Sequence, residues 1–181
     1  MSNRTRDRLR EALNMSGFVL RPLTDADTDW LRRVVAEYCG GDPVITPDGV
    51  YVVRDLPGYV AEDEGTRVGL AQYRIAAGDC EIITLASLRP GRGIGSELVT
   101  AVRAMAERAG CRWLRVCTSN DNLHALGFYQ KRGFALAKLH RGAMERVRQA
   151  KPGVPLVGAA GIPLRDIIEL EMTLDDTEAS A

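Results

Sequence analysis

The sequence predicts a mixed α/β sandwich in one domain, on three observations. Three strand-like runs, "GYVAED", "RVGLAQYRIA" and "DCEIITLASL", follow one another with only tight turns between them. Two helical runs then alternate with strand-like runs from Ile94 to His140. A last run, "DIIELEMTL", sets Ile167, Glu169 and Glu171 against Ile168, Leu170 and Met172, the alternation of a strand. The 181 residues suffice for one sizeable core, and 45% apolar with 27% charged residues excludes disordered and collagen-like chains.

In order along the chain, "GFVLRPL" (Gly17–Leu23) reads as a strand closed by proline. Thr24 or Asp25 can cap the helix that follows, Asp27 and Asp29 suit its first turn, and Trp30, Leu31, Val34, Val35 and Tyr38 form its apolar stripe. Gly40-Gly41 ends it. Residues 42–58 are punctuated by proline and glycine and read as a loop with a short strand at "VYVV". The three-strand meander comes next, turning at Glu64-Gly65 and Gly78-Asp79. A helix over Ile94–Ala109 stops at Gly110, "CRWLRVCTS" is a strand, "NDNLHALGFYQKRG" a helix with a glycine stop, and "FALAKLH" a strand. "GAMERVRQAK" reads as a short helix whose Arg146, Arg148 and Lys151, with Arg141, form a solvated basic face able to steer an acidic acceptor. The Pro- and Gly-rich "KPGVPLVGAAGIPLRD" leads to the last strand and has the length of a loop that shapes a site or an oligomer contact. Residues 1–16 are expected to form a flexible N-terminal extension, or to precede a true start at Met15; residues 17–181 are expected to form the single domain.

Lys+Arg and Asp+Glu both number 24, which argues against a surface devoted to nucleic acid. No apolar run approaches the ~20 residues of a membrane span, and the N-terminus lacks the apolar core of a secretory signal. Cys39, Cys80, Cys111 and Cys117 contain no CxxC pair, and His124 and His140 are the only histidines, so no metal is expected. Three of the cysteines sit in or beside strands as small apolar groups, and a reducing cytoplasm is the simplest location.

The stretch "SLRPGRGIGSELVTAV" joins a strand to a helix through Gly91, Gly93 and Gly95. The first N–H groups of a helix have no partner within it and carry partial positive charge, so they suit a phosphate. Glycines allow close approach and positive φ. Arg89 and Arg92 can add charge and Ser96 a hydroxyl. The spacing excludes a P-loop, which needs Gly-Lys, and the dinucleotide fingerprint, which needs GxGxxG. Taken alone, the loop is equally a tight turn without a ligand.

Downstream, "NDNLHALGFYQKRGF" places Asn122, Ala125, Phe128, Tyr129, Lys131, Gly133 and Phe134 in the pattern N-x-x-A-x-x-hydrophobic-Y-x-K/R-x-G-F. This resembles a signature of the GNAT superfamily of N-acetyltransferases. The glycine loop resembles the same superfamily's R/Q-x-x-G-x-G/A loop, with Gly93 and Gly95 as its glycines. The likeness runs from Gly17 to the last strand. It departs at Pro90, which stands where the motif has Arg or Gln; the nearest arginine, Arg89, is one residue early. The short approach and the later "GIPLRD" resemble uncharacterised members of the superfamily.

The resemblance implies a mixed central sheet of about six to seven strands, splayed in the middle and flanked by helices on both faces. It implies acetyl-CoA as co-substrate between the strands Asp79–Leu88 and Cys111–Ser119. Main-chain contacts would come from Leu85, Ser87 and Leu88, phosphate contacts from Arg89, Arg92, Gly93, Gly95 and Ser96, and further contacts from Asn120 and Asn122, either of which can instead cap its helix. A homodimer is an expectation of the same kind.

Two residues are candidates for the chemistry. Tyr129 holds the tyrosine position that faces the sulfur and can donate to the leaving thiolate; otherwise it is a core aromatic. Glu81 is a candidate base for the acceptor amine. Simple alternation puts it on one strand face with Ile83, Leu85 and Ser87, where a carboxylate is out of place unless it meets a wet cleft. A solvated strand end, a water chain, Glu169 or Glu171 are the alternatives. Phe128, Phe134 and Trp113 are expected in the core and His124 on the surface, and His140 has no expected role. The function expected is acetyl transfer from acetyl-CoA to a small-molecule or peptide amine by direct attack in a ternary complex. The alternatives are a non-catalytic acyl-CoA-binding module, or transfer of another acyl group or to a hydroxyl. A nucleotide-triphosphate enzyme stands more distant.

Overall fold

The structure, a computed structural model, describes residues 17–158 and 160–174; the extension expected at 1–16 lies outside them. In chain order the elements are β1 (Val19–Pro22), α1 (Thr28–Tyr38), β2 (Val44–Thr46), β3 (Gly49–Tyr51), β4 (Gly58–Asp63), β5 (Thr66–Ala76), β6 (Asp79–Ser87), α2 (Ile94–Arg108), β7 (Trp113–Ser119), α3 (Leu123–Gln130), β8 (Ala135–His140), α4 (Ala143–Ala150) and β9 (Ile167–Thr173). Seven strands form one sheet in the order β1-β4-β5-β6-β7-β9-β8. Only β6 and β7 pair in parallel, because the chain crosses between them through α2.

The expected α/β sandwich is present, with helices on both faces. On one face, Ile94, Leu98, Val99 and Val102 of α2 pack with Tyr129 of α3 on Val68, Cys80, Ile82, Leu114, Val116 and Leu170 of the sheet. On the other, Leu31, Val34 and Val35 of α1 pack on Leu70, Ile83 and Ala86. Beside them Met144 and Val147 of α4 pack with Leu164 and Ile167.

Where one short strand was expected at "VYVV", a β2–β3 hairpin forms, Val44 pairing with Tyr51 and Thr46 with Gly49. Strands of three residues are too short to show alternation. The hairpin persists because Val44, 9% exposed, is packed into the α1 core. The α1 entry also differs: a 3-10 turn, Asp25–Asp27, precedes the helix. The buried Asp27 carboxylate reaches back to the Thr24 N–H at 3.0 Å and to its hydroxyl at 3.0 Å.

Two departures from regular pairing shape the middle of the sheet. First, β6 pairs with β7 from Asp79↔Trp113 to Ile82↔Val116 and no further. Beyond that point β6 stays on β5 as far as Ser87↔Gly69, and β7 stays on β9 as far as Ser119↔Ile167. The two central strands therefore part. Second, β5–β6 register slips, Gln72 pairing with Thr84 but Tyr73 with Ile82, so Ile83 is an inserted residue.

The slip corrects the simple alternation. Glu81 and Ile83 do share a face, the α1 face, but Leu85 does not join them. Thr84 follows Ile83 there, its hydroxyl donating to Gln72 Oε1 at 3.2 Å while Gln72 Nε2 donates to the Val53 carbonyl at 2.6 Å. Leu85 packs instead with the α2 core, and the Ser87 side chain faces Gly95 of α2. One extra residue reverses every side chain after it.

Candidate active site

The parted strands open a cavity of about 420 Å³. Leu85 of β6, Cys117–Ser119 of β7 and Tyr129 of α3 line it in the gap. Cys39 and Gly40 after α1, Thr46 of the hairpin, Met144 and Val147 of α4, Lys151 and Leu164 close it on the α1 face. The facing edges of Ile83–Ser87 and Cys117–Ser119 lack each other as ladder partners, so an extended chain of amides could pair there.

Tyr129 reaches this cavity from the α2 face. It is 6% exposed, set edge-on between Phe128, at a centroid distance of 5.2 Å, and Phe134, at 5.4 Å. Burial raises its phenol well above the ordinary value, so the hydroxyl keeps its proton and acts as a donor. Asn122 caps α3, its Oδ1 accepting from Ala125 N at 3.1 Å, and so fixes the turn that presents Tyr129.

Glu81 lies on the opposite face, 6% exposed, and its neighbours across the sheet are Arg74 and Arg115. Burial raises its carboxyl pKa, while the charge of Arg74, whose Nη2 stands 3.5 Å away, pulls it down and Asp48 pushes it up. Glu81 does not line the cavity itself. Thr46 does, and its side chain acts on the Glu81 carboxyl to lower its pKa, which ties the acid to the cavity wall. Thr46 lies on a strand of three residues, too short to carry an alternation signal in the sequence. The other carboxylates are engaged elsewhere: Glu169 holds His140 Nε2 at 2.7 Å, and Glu171 lies 3.6 Å from Arg115.

The glycine loop meets the gap at the start of α2. Gly91 and Gly93 have φ of 75° and 76°, and nothing stands within 4 Å of where their β-carbons would be. That leaves an open approach to the first N–H groups of a 15-residue helix, a setting that suits an anion. Gly95 does something else: a β-carbon there would lie 3.2 Å from the Phe128 ring, so its bareness seats α3 against α2.

The arginines are not arranged as expected. Arg89 is paired with Asp63, on the β4–β5 side, and the Arg92 guanidinium lies against Gly17. The residue that reaches Ser96 is Arg132, just after α3. Its Nε is 3.2 Å from Ser96 Oγ and its Nη2 also donates to that oxygen. Nη1 holds the Phe128 carbonyl at 2.6 Å, and the guanidinium lies 3.5 Å from the centre of the Phe128 ring. Sequence gave only a basic residue beside the motif lysine, and the approach of α3 to α2 was not visible in it. Leu88 pairs with Val68 through its N–H at 2.9 Å, and the Ser87 hydroxyl donates to the Arg89 carbonyl at 3.4 Å. Asn120 stands apart from the cavity lining: its Oδ1 accepts from Arg165 N and Asp166 N, and its Nδ2 donates to the Pro163 carbonyl. It pins the loop before β9.

That loop shapes the cavity, through Val154, Pro155 and Leu164. The basic face expected on α4 is only partly solvated. Arg148 Nη1 donates to the Leu164 carbonyl at 2.9 Å, and Lys151 Nζ to the Gly40 and Gly41 carbonyls at 3.0 and 2.7 Å. Orphan loop carbonyls draw these cations inward.

The four cysteines are free, and burial raises the thiol pKa of each, to about 11 at Cys39 and about 12 at Cys80. None has the lowered pKa of an activated nucleophile. Among the described residues no helix is long and apolar enough to cross a membrane.

Comparison with known proteins agrees with this geometry. Residues 24–134 match the profile of the acetyltransferase (GNAT) family. The chain is 34% identical to the Bacillus subtilis uncharacterized protein YdhI over 87% of this chain and 99% of that one. An IAA acetyltransferase from Bacillus cereus superposes with a TM-score of 0.65 at 23% identity, covering 86% of this chain and 99% of that one. A GNAT family acetyltransferase from Elizabethkingia anophelis, with acetyl-CoA bound, gives 0.65 at 20%, covering 87% and 98%. With the two motifs, the parted strands and the helix start between them in place, the chain belongs to the GNAT family of acetyltransferases.

Proposed function

We propose that this acetyltransferase uses acetyl-CoA to acetylate an amine by direct attack within a ternary complex. The observation that carries the reading is the parting of β6 and β7 after Ile82 and Val116, with Tyr129 on one side of the gap and Glu81 behind Thr46 on the other. Acetyl-CoA, bound along the gap with its diphosphate at the α2 start, supplies the activated acyl group.

The chain's own residues divide the work between the two faces. An alkylamine has a pKa near ~10.4 and arrives protonated, so a base is needed. Glu81, buried and raised in pKa, takes that proton through Thr46 or water from the α1 face. Tyr129, held protonated by burial, donates from the α2 face to the sulfur as charge develops on it. The gap is what lets groups on opposite faces of one sheet serve one bond. The acceptor enters on the α1 face, where the hairpin, α4 and the loop before β9 close the cavity.

The test combines calorimetry with coenzyme A and an assay of free-thiol release from acetyl-CoA across a panel of amines. Tyr129→Phe is expected to bind coenzyme A like wild type and to lose on the order of 10²-fold in kcat. Tight coenzyme A binding without turnover on any amine would favour the binding-module reading, and acetyl esters in the products would assign a hydroxyl acceptor.

A further inference from the structure

The chain has three lysines against 21 arginines. Lys131 and Lys138 are exposed and outside the cavity lining. Lys151, half-buried at the end of α4, lines the same cavity as Tyr129 and Leu85. Its Nζ donates to the Gly40 and Gly41 carbonyls at 3.0 and 2.7 Å, and none of the ion pairs among the described residues within 4 Å involves it.

We propose that Lys151 is a self-acetylation site, its ε-amine taking the acetyl group from acetyl-CoA when no other acceptor fills the cavity. This rests on acetyl-CoA being the donor.

The reasoning is chemical. A guanidinium stays protonated at any working pH and makes no nucleophile, whereas a lysine amine does so once it loses a proton. Burial lowers the Lys151 pKa, which enlarges the neutral fraction. Among the described residues no carboxylate lies within ion-pair distance of the ammonium; the charge of Asp42 acts on it from farther away and opposes the effect of burial, and its direct partners are two carbonyls, which bind the amine more weakly once it is neutral. Confinement in the cavity replaces a bimolecular encounter with a side-chain swing.

The step balances. Lys151 Nζ releases one proton to solvent, and its lone pair forms the N–C bond to the acetyl carbon. The C–S bond breaks, coenzyme A leaves as thiolate, and the second amine proton passes to that thiolate to give the thiol. The product amide keeps a single N–H, so it satisfies one of the two carbonyls that the ammonium held. The tie between the end of α4 and the end of α1 is thereby weakened, and it sits at the cavity wall.

The test incubates the full chain, with Lys151 unmodified by mass, with acetyl-CoA and no acceptor, then maps acetylated lysines in a Glu-C digest. Lys131 and Lys138 are internal controls for solution chemistry. Lys151 is expected to gain one acetyl group at least about tenfold faster than either, and excess coenzyme A is expected to suppress the difference. Lys151→Arg is expected to remove the labelled peptide and leave the control lysines unchanged. Equal rates at the three lysines, or an unlabelled Lys151 in protein that binds coenzyme A by calorimetry, would overturn the inference alone. Failure to bind coenzyme A would overturn the donor assignment and this inference with it.

Discussion

Arg132 Nε stands 3.2 Å from Ser96 Oγ, joining the end of α3 to the first turn of α2. The same guanidinium lies over the Phe128 ring and holds the Phe128 carbonyl, so it is fixed in place before any ligand arrives. A fixed cation beside the opening N–H groups of a helix is suited to a diphosphate. Arg132→Ala is expected to weaken coenzyme A binding by about tenfold, and Arg132→Lys, which keeps charge but not the fork, to recover part of it. Calorimetry on both variants checks this. Arg89→Ala, which breaks a pair with Asp63 away from the helix start, is expected to change affinity less.

Gly93 and Gly95 are expected to fail differently. Gly93 has φ of 76° and open space around it, so Gly93→Ala costs about 1–2 kcal/mol of backbone strain at the phosphate approach. Gly95→Val drives a branched side chain into the Phe128 ring, already 3.2 Å from a β-carbon, and overpacking costs about 1–3 kcal/mol. Thermal unfolding with and without coenzyme A separates them. Both variants should melt lower in the free protein, and Gly93→Ala should in addition lose part of the stabilisation that coenzyme A adds, which Gly95→Val should largely keep.

Glu81→Gln is expected to lower kcat on the order of 10²-fold or more with little change in coenzyme A affinity. Wild-type kcat should rise with pH as Glu81 ionises, at a pH above the ordinary glutamate range because burial raises its pKa. That acidic limb should vanish in Glu81→Gln. A pH profile of kcat for both proteins, with the same amine, decides it. Survival of the limb in the variant would reassign the base.

Asp27 predicts an acid sensitivity of the fold. Its carboxylate is fully buried and takes Arg21 at 2.8 and 2.9 Å and Arg67 at 2.7 Å, which with the Thr24 bonds hold its pKa far below the aspartate range. A lowered folded pKa stabilises above the unfolded value and is lost as pH falls below it. Stability should therefore decline below about pH 4 and decline less steeply in Asp27→Asn. At neutral pH that variant should be less stable by about 2 kcal/mol, measured by denaturant unfolding. Equal acid slopes in the two proteins would contradict the assignment.

Much of this protein was legible in its sequence because the signals are local. The glycines sit where a strand must turn into α2, Asn122 caps α3 as its position implied, and Tyr129, singled out by the family resemblance, lines the cavity. The meander was readable because tight turns force neighbouring strands together. The remainder depends on register and on contacts between distant segments. The inserted Ile83 turns Leu85 away from Glu81, and alternation counted along one strand cannot register a slip against its neighbour. Arg132 rather than Arg89 meets Ser96 because α3 packs on α2 through the bare Gly95. Asn120 serves the loop before β9, and Lys151 turns inward to carbonyls 110 and 111 residues away. Side-chain chemistry is written in the sequence, but which partner a polar group finds is set by the burial of segments that meet only when the sheet closes.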